Sequence, residues 1–348
     1  MPSRLRADFQ PEELSAVLSR YDLGTITRLD KQLKGSRRSP KVIITADCGR
    51  FLLKRRARGR DHPLKVAFAH SVQRFLAERG FPVPALVPVK DGSGTMVILD
   101  ELIYELFAYV PGGPYDHSRH CTADAGRLLG EFHNLLADYH SDWEPARRGY
   151  HDSNLVRSNL NGVPASVGKD DSVVGRESEL LSTVGQLFDA YEDAAQRVND
   201  AGFYSWPVQI VHADWHPGNM LFAEGRVAAV IDYDSLHLLP SVTDLANGLL
   251  QFSIIGGPVD PRQWPPELDE SRFRQFRHGY ERTCDGAMVQ YEAVPWLMIE
   301  ALIAEAVMPI AATGSFGRIE GFRFLRMIGR KVAWLRANAE RLIELARA

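Results

Sequence analysis

Apolar residues recur along this chain with two different periods, and the change of period divides it. A short helix is predicted over residues 11–20, where Pro11 and two acids precede apolar groups at helical spacing. The runs Leu23 to Leu29, Val42 to Thr45 and Phe51 to Lys54 are then short and β-rich, with turns at Lys34 to Ser39 and Ala46 to Gly49. Thr95 to Leu99 and Leu102 to Val110 add two more strands, so a small antiparallel sheet is expected. One helix interrupts it from Pro63 to Arg79, with Leu64, Ala67, Phe68, Val72, Phe75 and Leu76 on a single face and Gly80 closing it. The run Pro111-Gly112-Gly113 breaks the last strand and is the candidate hinge.

Beyond that break the helical period dominates. Ala123 to Leu136 carries the stripe Ala125, Leu128, Leu129, Phe132, Leu135 and Leu136, with His133 read as a packing histidine. Leu180 to Val198, Ser271 to Cys284, Glu292 to Met308 and Arg318 to Ala348 follow as further helices. Residues 141–176 are polar and lack sustained periodicity, and they read as a long surface connection, either a substrate lid or a disordered segment. The expected architecture is α+β in two lobes, residues 1–110 built on the sheet and residues 111–348 mainly helical.

Candidate chemistry interrupts the helical part. In His212-Ala213-Asp214-Trp215-His216-Pro217-Gly218-Asn219, Asp214 and Asn219 stand five positions apart. That is the spacing of catalytic loops in which an Asp takes a hydroxyl proton and an Asn holds magnesium. A hairpin of Met220 to Phe222 and Val227 to Ile231 then brings Asp232 to the same end as Asn219. Asn219 and Asp232 are therefore the candidate Mg²⁺ ligands, and Asp214 is left to accept a proton as a phosphoryl group moves.

In the first lobe Lys54 ends an apolar strand in the manner of a lysine aimed at nucleotide phosphates. The turn containing Gly35 and Ser36 is placed to lie over the same phosphates through backbone N–H groups and hydroxyls. Backbone groups of Phe107, Ala108 and Tyr109 are candidates for a base edge, with Leu53, Val97 or Phe107 covering its faces. A partner for Lys54 is sought on the 63–79 helix, among His70, Gln73 and Glu78. His212 is expected to brace the loop, His216 to be a loop residue, Asp234 to be a supporting acid or ion-pair partner, and Asp244 to cap a helix and steady the loop from behind. Tyr280, Glu281, Trp296 and Glu300 are possible lining groups of an acceptor pocket.

Composition narrows the classes. At 348 residues with 45% hydrophobic content the chain can fill two cores. Its opening residues lack the apolar region of a signal peptide, and no uninterrupted apolar run approaches the roughly 18 residues of a membrane span, so a cytoplasmic protein without membrane partners is expected. Cys48, Cys121 and Cys284 are odd in number and far apart, which fits reduced thiols rather than a disulfide frame or metal cluster. Net charge is only −3, giving no general pull towards nucleic acid. The charge is unevenly spread, however. Residues 1–110 hold 19 Lys and Arg against 12 Asp and Glu, whereas residues 111–348 hold 22 against 32. A basic first lobe suits a polyphosphate and an acidic second lobe a cationic acceptor.

The run from Val211 to Leu221 with Val230-Ile231-Asp232-Tyr233-Asp234 resembles the signature of the aminoglycoside phosphotransferase and choline kinase superfamily. Leu128-Leu129-Gly130-Glu131-Phe132-His133 and Phe51-Leu52-Leu53-Lys54 are similar to that family's helix and lysine strand, so the resemblance spans roughly residues 20 to 250. It implies a protein-kinase-like fold, ATP or GTP with Mg²⁺, and a small-molecule hydroxyl acceptor. Carried over by position, Asp214 is the base, Asn219 and Asp232 hold the metal, and Lys54 contacts phosphate. Ala213 departs from the family's usual Gly, and the helix Glu is not evident. The layout resembles the homoserine-kinase-like and spore-coat-like branches, which favours an amino alcohol over a bulky aminoglycoside. Only eleven residues separate Asp232 from Asp244, too few for a phosphorylated activation segment. A protein Ser/Thr kinase with the same site, or a nucleotide-binding scaffold, are the alternatives.

Overall fold

A computed structural model describes residues 8–30, 39–143, 145, 147–168, 172–256, 260–284 and 290–348 of the chain. In order, the elements are α1 (Pro11–Leu18), β1 (Ile26–Asp30), β2 (Lys41–Ala46), β3 (Gly49–Arg55), α2 (Pro63–Glu78), β4 (Met96–Leu99) and β5 (Leu102–Ala108). Then come α3 (Arg119–Leu136), α4 (Asn154–Val167), α5 (Glu177–Asp200), β6 (Gln209–Val211), β7 (Met220–Ala223), β8 (Arg226–Val230) and β9 (His237–Leu239). The chain closes with α6 (Val242–Ser253), α7 (Glu270–Glu281), α8 (Val294–Thr313), β10 (Ser315–Phe316), β11 (Ile319–Glu320), α9 (Gly321–Ala337) and α10 (Ala339–Arg347). Two compact units result. One holds the residues up to Pro114 with His140–Trp143 and Asn219–Asp234, the other holds Tyr115–Tyr139, Glu144–Gly218 and Ser235–Ala348.

In the first unit five antiparallel strands pair in the order β1-β2-β3-β5-β4. One face buries Val42, Ile44, Leu53, Tyr104 and Leu106 against Leu14, Val17 and Leu18 of α1. Because side chains alternate along a strand, the neighbours of Leu53 point the other way. The register sets Lys41 beside Lys54 and Lys54 beside Glu105, so three charged residues line up across β2, β3 and β5. The β7/β8 hairpin turns at Glu224 and Gly225, both with positive φ (52° and 75°), the conformation that matches a two-residue turn to strand twist. It is tied to this unit by paired backbone hydrogen bonds between Gly113 and Phe222 (2.8 and 3.0 Å) and by Val230 N–H to Pro82 O (2.8 Å). Gly112 must be glycine here, since a Cβ would sit 2.8 Å from that of Leu221.

In the second unit α3 and α7 cross at reciprocal glycines. A Cβ on Gly126 would collide with the Phe276 carbonyl, and one on Gly279 with the Ala123 carbonyl. This close crossing sets His133 of α3 within 2.9 Å of the Tyr280 hydroxyl. Cys48, Cys121 and Cys284 are free thiols.

Several sequence expectations change. The supposed lid over 141–176 contains helix α4, whose Val156, Leu160, Val163 and Val167 are buried. Their spacing of four, three and four is helical, but Asn, Ser, Gly and Pro164 between them lower the intrinsic propensity, and packing overrides it. The closing segment is two helices, broken at Asn338 (φ −112°, ψ 17°). Leu64 is 59% exposed, so the buried face of α2 runs instead through Val66, Phe68, Ala69, His70, Val72, Gln73 and Leu76. Residues 291–313 form a helix long and apolar enough by composition to cross a bilayer; its window is 78% buried within the protein, so packing accounts for its apolarity.

Gly279→Ala is expected to force α3 and α7 apart and to cost about 1–3 kcal/mol, the usual range for an overpacked contact. Urea unfolding of the variant measures it, and unchanged stability would refute the close crossing.

Candidate functional site

The first unit contains a cavity of about 280 Å³ lined by Lys41, Lys54, Arg56, Glu105, Asp232 and Asp234 at a charged end and by Leu52, Phe107, Leu221 and Ile231 along apolar walls. Lys54 and Leu52 share a strand face, and Leu53 faces the core at 0% exposure. The expectation that Leu53 or Val97 covers a base is therefore corrected to Leu52, because both Leu53 and Val97 belong to the core on the other face. Phe107, Ala108 and Tyr109 line the cavity. Their backbone donors are a different matter. The Ala108 N–H is given to Ala85 O (2.8 Å) and the Tyr109 N–H to Arg50 O (2.9 Å). Among the described residues the next lining N–H, that of Val110, has no backbone partner. Gly35 and Ser36 lie outside the described residues.

At the charged end Lys54 Nζ lies 3.2 Å from Asp234 and 3.5 Å from Asp232. Burial works against its charge, but the carboxylates of Glu105, Asp234 and Asp232 overcome this and hold its pKa above the ordinary lysine value. Arg56 grips Glu105 with two hydrogen bonds (2.9 and 2.8 Å) and reaches Asp234 at 2.7 Å. His70 Nε2 meets Glu105 at 2.7 Å while Nδ1 meets the Thr95 hydroxyl at 2.7 Å. Buried as it is, Glu105 would resist ionising, but the His70 hydrogen bond and the charges of Arg56 and Lys54 hold its carboxyl well below the usual range. The partner sought on α2 is thus not there. Glu105 of β5 faces Lys54 across the ladder, His70 supports Glu105, Gln73 lines the cavity, and Glu78 is exposed. A carboxylate in the apolar run 102–108, opposite the basic run 54–56, was the available signal.

Asn219 and Asp232 stand at one end of the β7/β8 hairpin, joined by the Ile231 N–H bonded to Asn219 O (2.9 Å). Asn219 is 7% exposed, and the Asp232 side chain is 36% exposed on a residue held at φ +67°. One amide and one carboxylate oxygen, with room for phosphate and water oxygens, suit Mg²⁺ rather than a softer metal. The cavity suits a nucleotide for the same reason that Lys54 is there. It offers cations at one end and flat apolar walls at the other.

In the second unit the loop carrying Asp214 is gripped from behind. Asp244 is 1% exposed, and its carboxylate accepts the N–H groups of His212 (2.7 Å) and Ala213 (2.8 Å). It does not cap the start of α6, which begins after Ser241, but it does steady the loop from behind, as expected. This grip holds Ala213 at φ +58°, a left-handed conformation that favours glycine and costs an alanine about 1 kcal/mol. The His212 ring is edge-on to Phe132 and Trp215, with Trp215 at 0% exposure. His216 is more than a loop residue. Its Nδ1 accepts the Gly218 N–H (3.0 Å), which leaves the proton on Nε2, 3.4 Å from Asp214 Oδ1. The Asp214 side chain remains 37% exposed, open to an incoming group. Of the expected pocket-lining residues, Glu300 is 0% exposed and braces residues 151–152, accepting from His151 Nδ1 (2.8 Å) and the Asp152 N–H (2.9 Å). Tyr280, at 1% exposure, is likewise a packing residue, bonded to His133.

A model of the phosphotransferase enzyme family matches residues 31–290. A homoserine kinase of Xanthobacter autotrophicus is 26% identical over 234 residues, 65% of this chain and 64% of that protein. One from Gluconobacter oxydans is 29% identical over 232 residues, 64% of this chain and 65% of that protein. The matches therefore span a little under two thirds of the length of these relatives. Among solved structures, an aminoglycoside phosphotransferase from Alicyclobacillus acidocaldarius superposes with a TM-score of 0.69 at 17% identity, covering 98% of this chain and 99% of that one. A microcompartment-associated aminopropanol kinase superposes with a TM-score of 0.67 at 13% identity, covering 93% and 96%. The fold is protein-kinase-like, as the residues had implied.

Glu105→Gln leaves Arg56 and Lys54 short of a buried countercharge and is expected to cost about 3–5 kcal/mol in urea unfolding. Asp244→Ala, which removes two hydrogen bonds to a charged acceptor, is expected to cost about 3 kcal/mol or more by the same measurement. A loss under 1 kcal/mol in either would contradict the geometry.

Proposed function

Because the chain belongs to the phosphotransferase enzyme family, we propose that it is a small-molecule kinase that moves the γ-phosphoryl group of ATP to the hydroxyl of an amino alcohol or a similar metabolite. The observation that carries this reading is the cavity in which Lys54 and Asp232 stand at the charged end of an apolar slot. The spacing of Asp214 and Asn219 and the likeness to homoserine kinases support it.

In this reading the Leu52, Phe107, Leu221 and Ile231 walls hold the base, and the Val110 N–H takes its edge. Lys54 contacts the phosphates. Its charge is secured by Glu105 and Asp234, so it needs no reorganisation when the nucleotide arrives. Asn219 and Asp232 hold Mg²⁺, which supplies neutralisation of phosphate charge. Asp214, turned by the His216 Nε2–H, orients the acceptor hydroxyl. The hydroxyl oxygen bonds to the γ-phosphorus as the bond to the bridging oxygen breaks, the hydroxyl proton passes to Asp214, and ADP leaves. Little covalent chemistry is asked of the protein, and positioning carries most of the rate. His216 is a positioning residue here, since it acts through Asp214.

Screening a metabolite pool with MgATP, reading phosphorylated products by mass, identifies the acceptor. Asp214→Asn is expected to lower kcat by about 10²–10⁴-fold while the thermal shift given by MgATP persists. Lys54→Met is expected to raise KM for ATP and to reduce that shift. Turnover retained in the Asp214 variant would overturn the mechanism.

A further inference from the structure

Strand β1 ends the sheet and is open on both faces, with Ile26 37% and Leu29 40% exposed. Three positions along a regular strand would place these two side chains on opposite faces. Here they share one. The ladder pairs Ile26 with Ala46 and Arg28 with Thr45, so Thr27 is an extra residue, a bulge that restores Ile26 and Leu29 to the face of Ala46 and Ile44. Ala46 and Ile44 are core residues packed towards α1. Ile26 and Leu29 continue that face beyond its covered part, and with Leu14, Leu18, Tyr21 and Leu23 they line a groove of about 810 Å³ beside the edge. Among the described residues no strand pairs with the outer side of β1.

An open edge is a template for another strand, and natural edges carry charges that limit which strand can pair. Those of β1 are Arg28 and Asp30, which point away from the groove and sit 2.8 Å apart. Opposite signs two positions apart select a second copy of the same strand. A two-fold axis normal to the sheet keeps groove side beside groove side, so it must pass beside a residue and pair that residue with its own copy. An axis at Arg28 or at Asp30 sets like charges opposite each other. An axis at Leu29 sets Arg28 opposite Asp30 in both directions and brings Leu29 against its copy over the groove.

We propose that the edge of β1 is a homodimer interface, in which two copies pair antiparallel about Leu29 and join their five-stranded sheets. The backbone N–H and C=O groups turned outward at the edge supply the ladder hydrogen bonds. Burial of the apolar edge drives association, and the charges fix the register. Each of the four charges then has an opposite charge along its own strand and another across the axis. The inference is independent of the kinase reading, since β1 carries none of the groups assigned to nucleotide, metal or acceptor.

Sedimentation equilibrium of the full chain is expected to show reversible dimers. Arg28→Asp sets Asp against Asp on both sides of the axis and is expected to weaken the dimer about 10-fold to 100-fold. Combining it with Asp30→Arg reverses both signs and is expected to restore the dimer. Leu29→Lys is expected to leave a monomer. Arg28 and Leu29 are exposed, so these variants should keep the wild-type melting temperature, which certifies their fold. A wild type that stays monomeric overturns the proposal, as does a dimer that survives both Arg28→Asp and Leu29→Lys, because the copies would then meet elsewhere. A double variant no stronger than Arg28→Asp overturns the pairing about Leu29.

Cross-linking reads the register directly. Side chains directly opposite in an antiparallel pair have Cβ atoms about 4.5–5.5 Å apart, which a small adjustment brings within disulfide reach. In a Cys48→Ser background, which removes an exposed native thiol, Leu29→Cys is expected to give a disulfide-linked dimer on mild oxidation, whereas Arg28→Cys, opposite Asp30, is not. Cross-linking by Arg28→Cys in place of Leu29→Cys would move the axis and overturn the assignment.

Discussion

Burying Lys54 and Arg56 together is costly unless their charges are answered, and Glu105 and Asp234 answer them. Arg56 is 3% exposed and Glu105 0%, so neither ion can fall back on water. Replacing such an array by apolar side chains would serve stability as well or better. What the charges add is direction. Strand β3 aims the lysine, strand β5 supplies its opposite carboxylate, and the residues after β8 bring Asp232 and Asp234 to the same ammonium. The paired hydrogen bonds of Gly113 and Phe222 keep the hairpin where this can happen, and the missing Cβ of Gly112 gives it room.

A second constraint acts on the loop that carries Asp214. One buried carboxylate, Asp244, takes two consecutive backbone N–H groups and so dictates the local backbone, including a left-handed alanine. Asp232 is left-handed as well. Strained backbone of this kind persists only where its surroundings over-determine it. Here those surroundings are named: Asp244 with His133 and Tyr280 behind it, and Trp215 and Phe132 around the His212 ring. The glycine crossing of α3 and α7 brings His133 and Tyr280 together. A packing contact far along the chain thus reaches the orientation of a carboxylate that is itself open to solvent.

The two halves of the proposed chemistry use charge in opposite ways. Around Lys54 the charges of Arg56, Glu105 and Asp234 are paired, which suits a group that must meet an anion without rearranging. Asp214 instead keeps a half-exposed carboxylate, 3.4 Å from His216 Nε2, for the acceptor hydroxyl that the proposed chemistry requires. The charge division along the sequence, basic before residue 110 and acidic after it, points the same way.

The sequence by itself determined what local spacing can encode. The five-position interval from Asp214 to Asn219, the short hairpin leading to Asp232 and the lysine ending a strand are covalent facts, and the two hydrophobic periods separate a sheet from helices. Three features escaped it. Helix α4 was hidden because its polar residues argue for a loop and only its packed face argues for a helix. Glu105 as the partner of Lys54 depends on strand register between segments about fifty residues apart, and the spending of the Ala108 and Tyr109 N–H groups depends on Ala85 and Arg50 being brought alongside the end of β5. Period and spacing survive in one dimension because they repeat within a few residues. Which charge meets which is decided by neighbours across strands and between helices, and those only tertiary packing supplies.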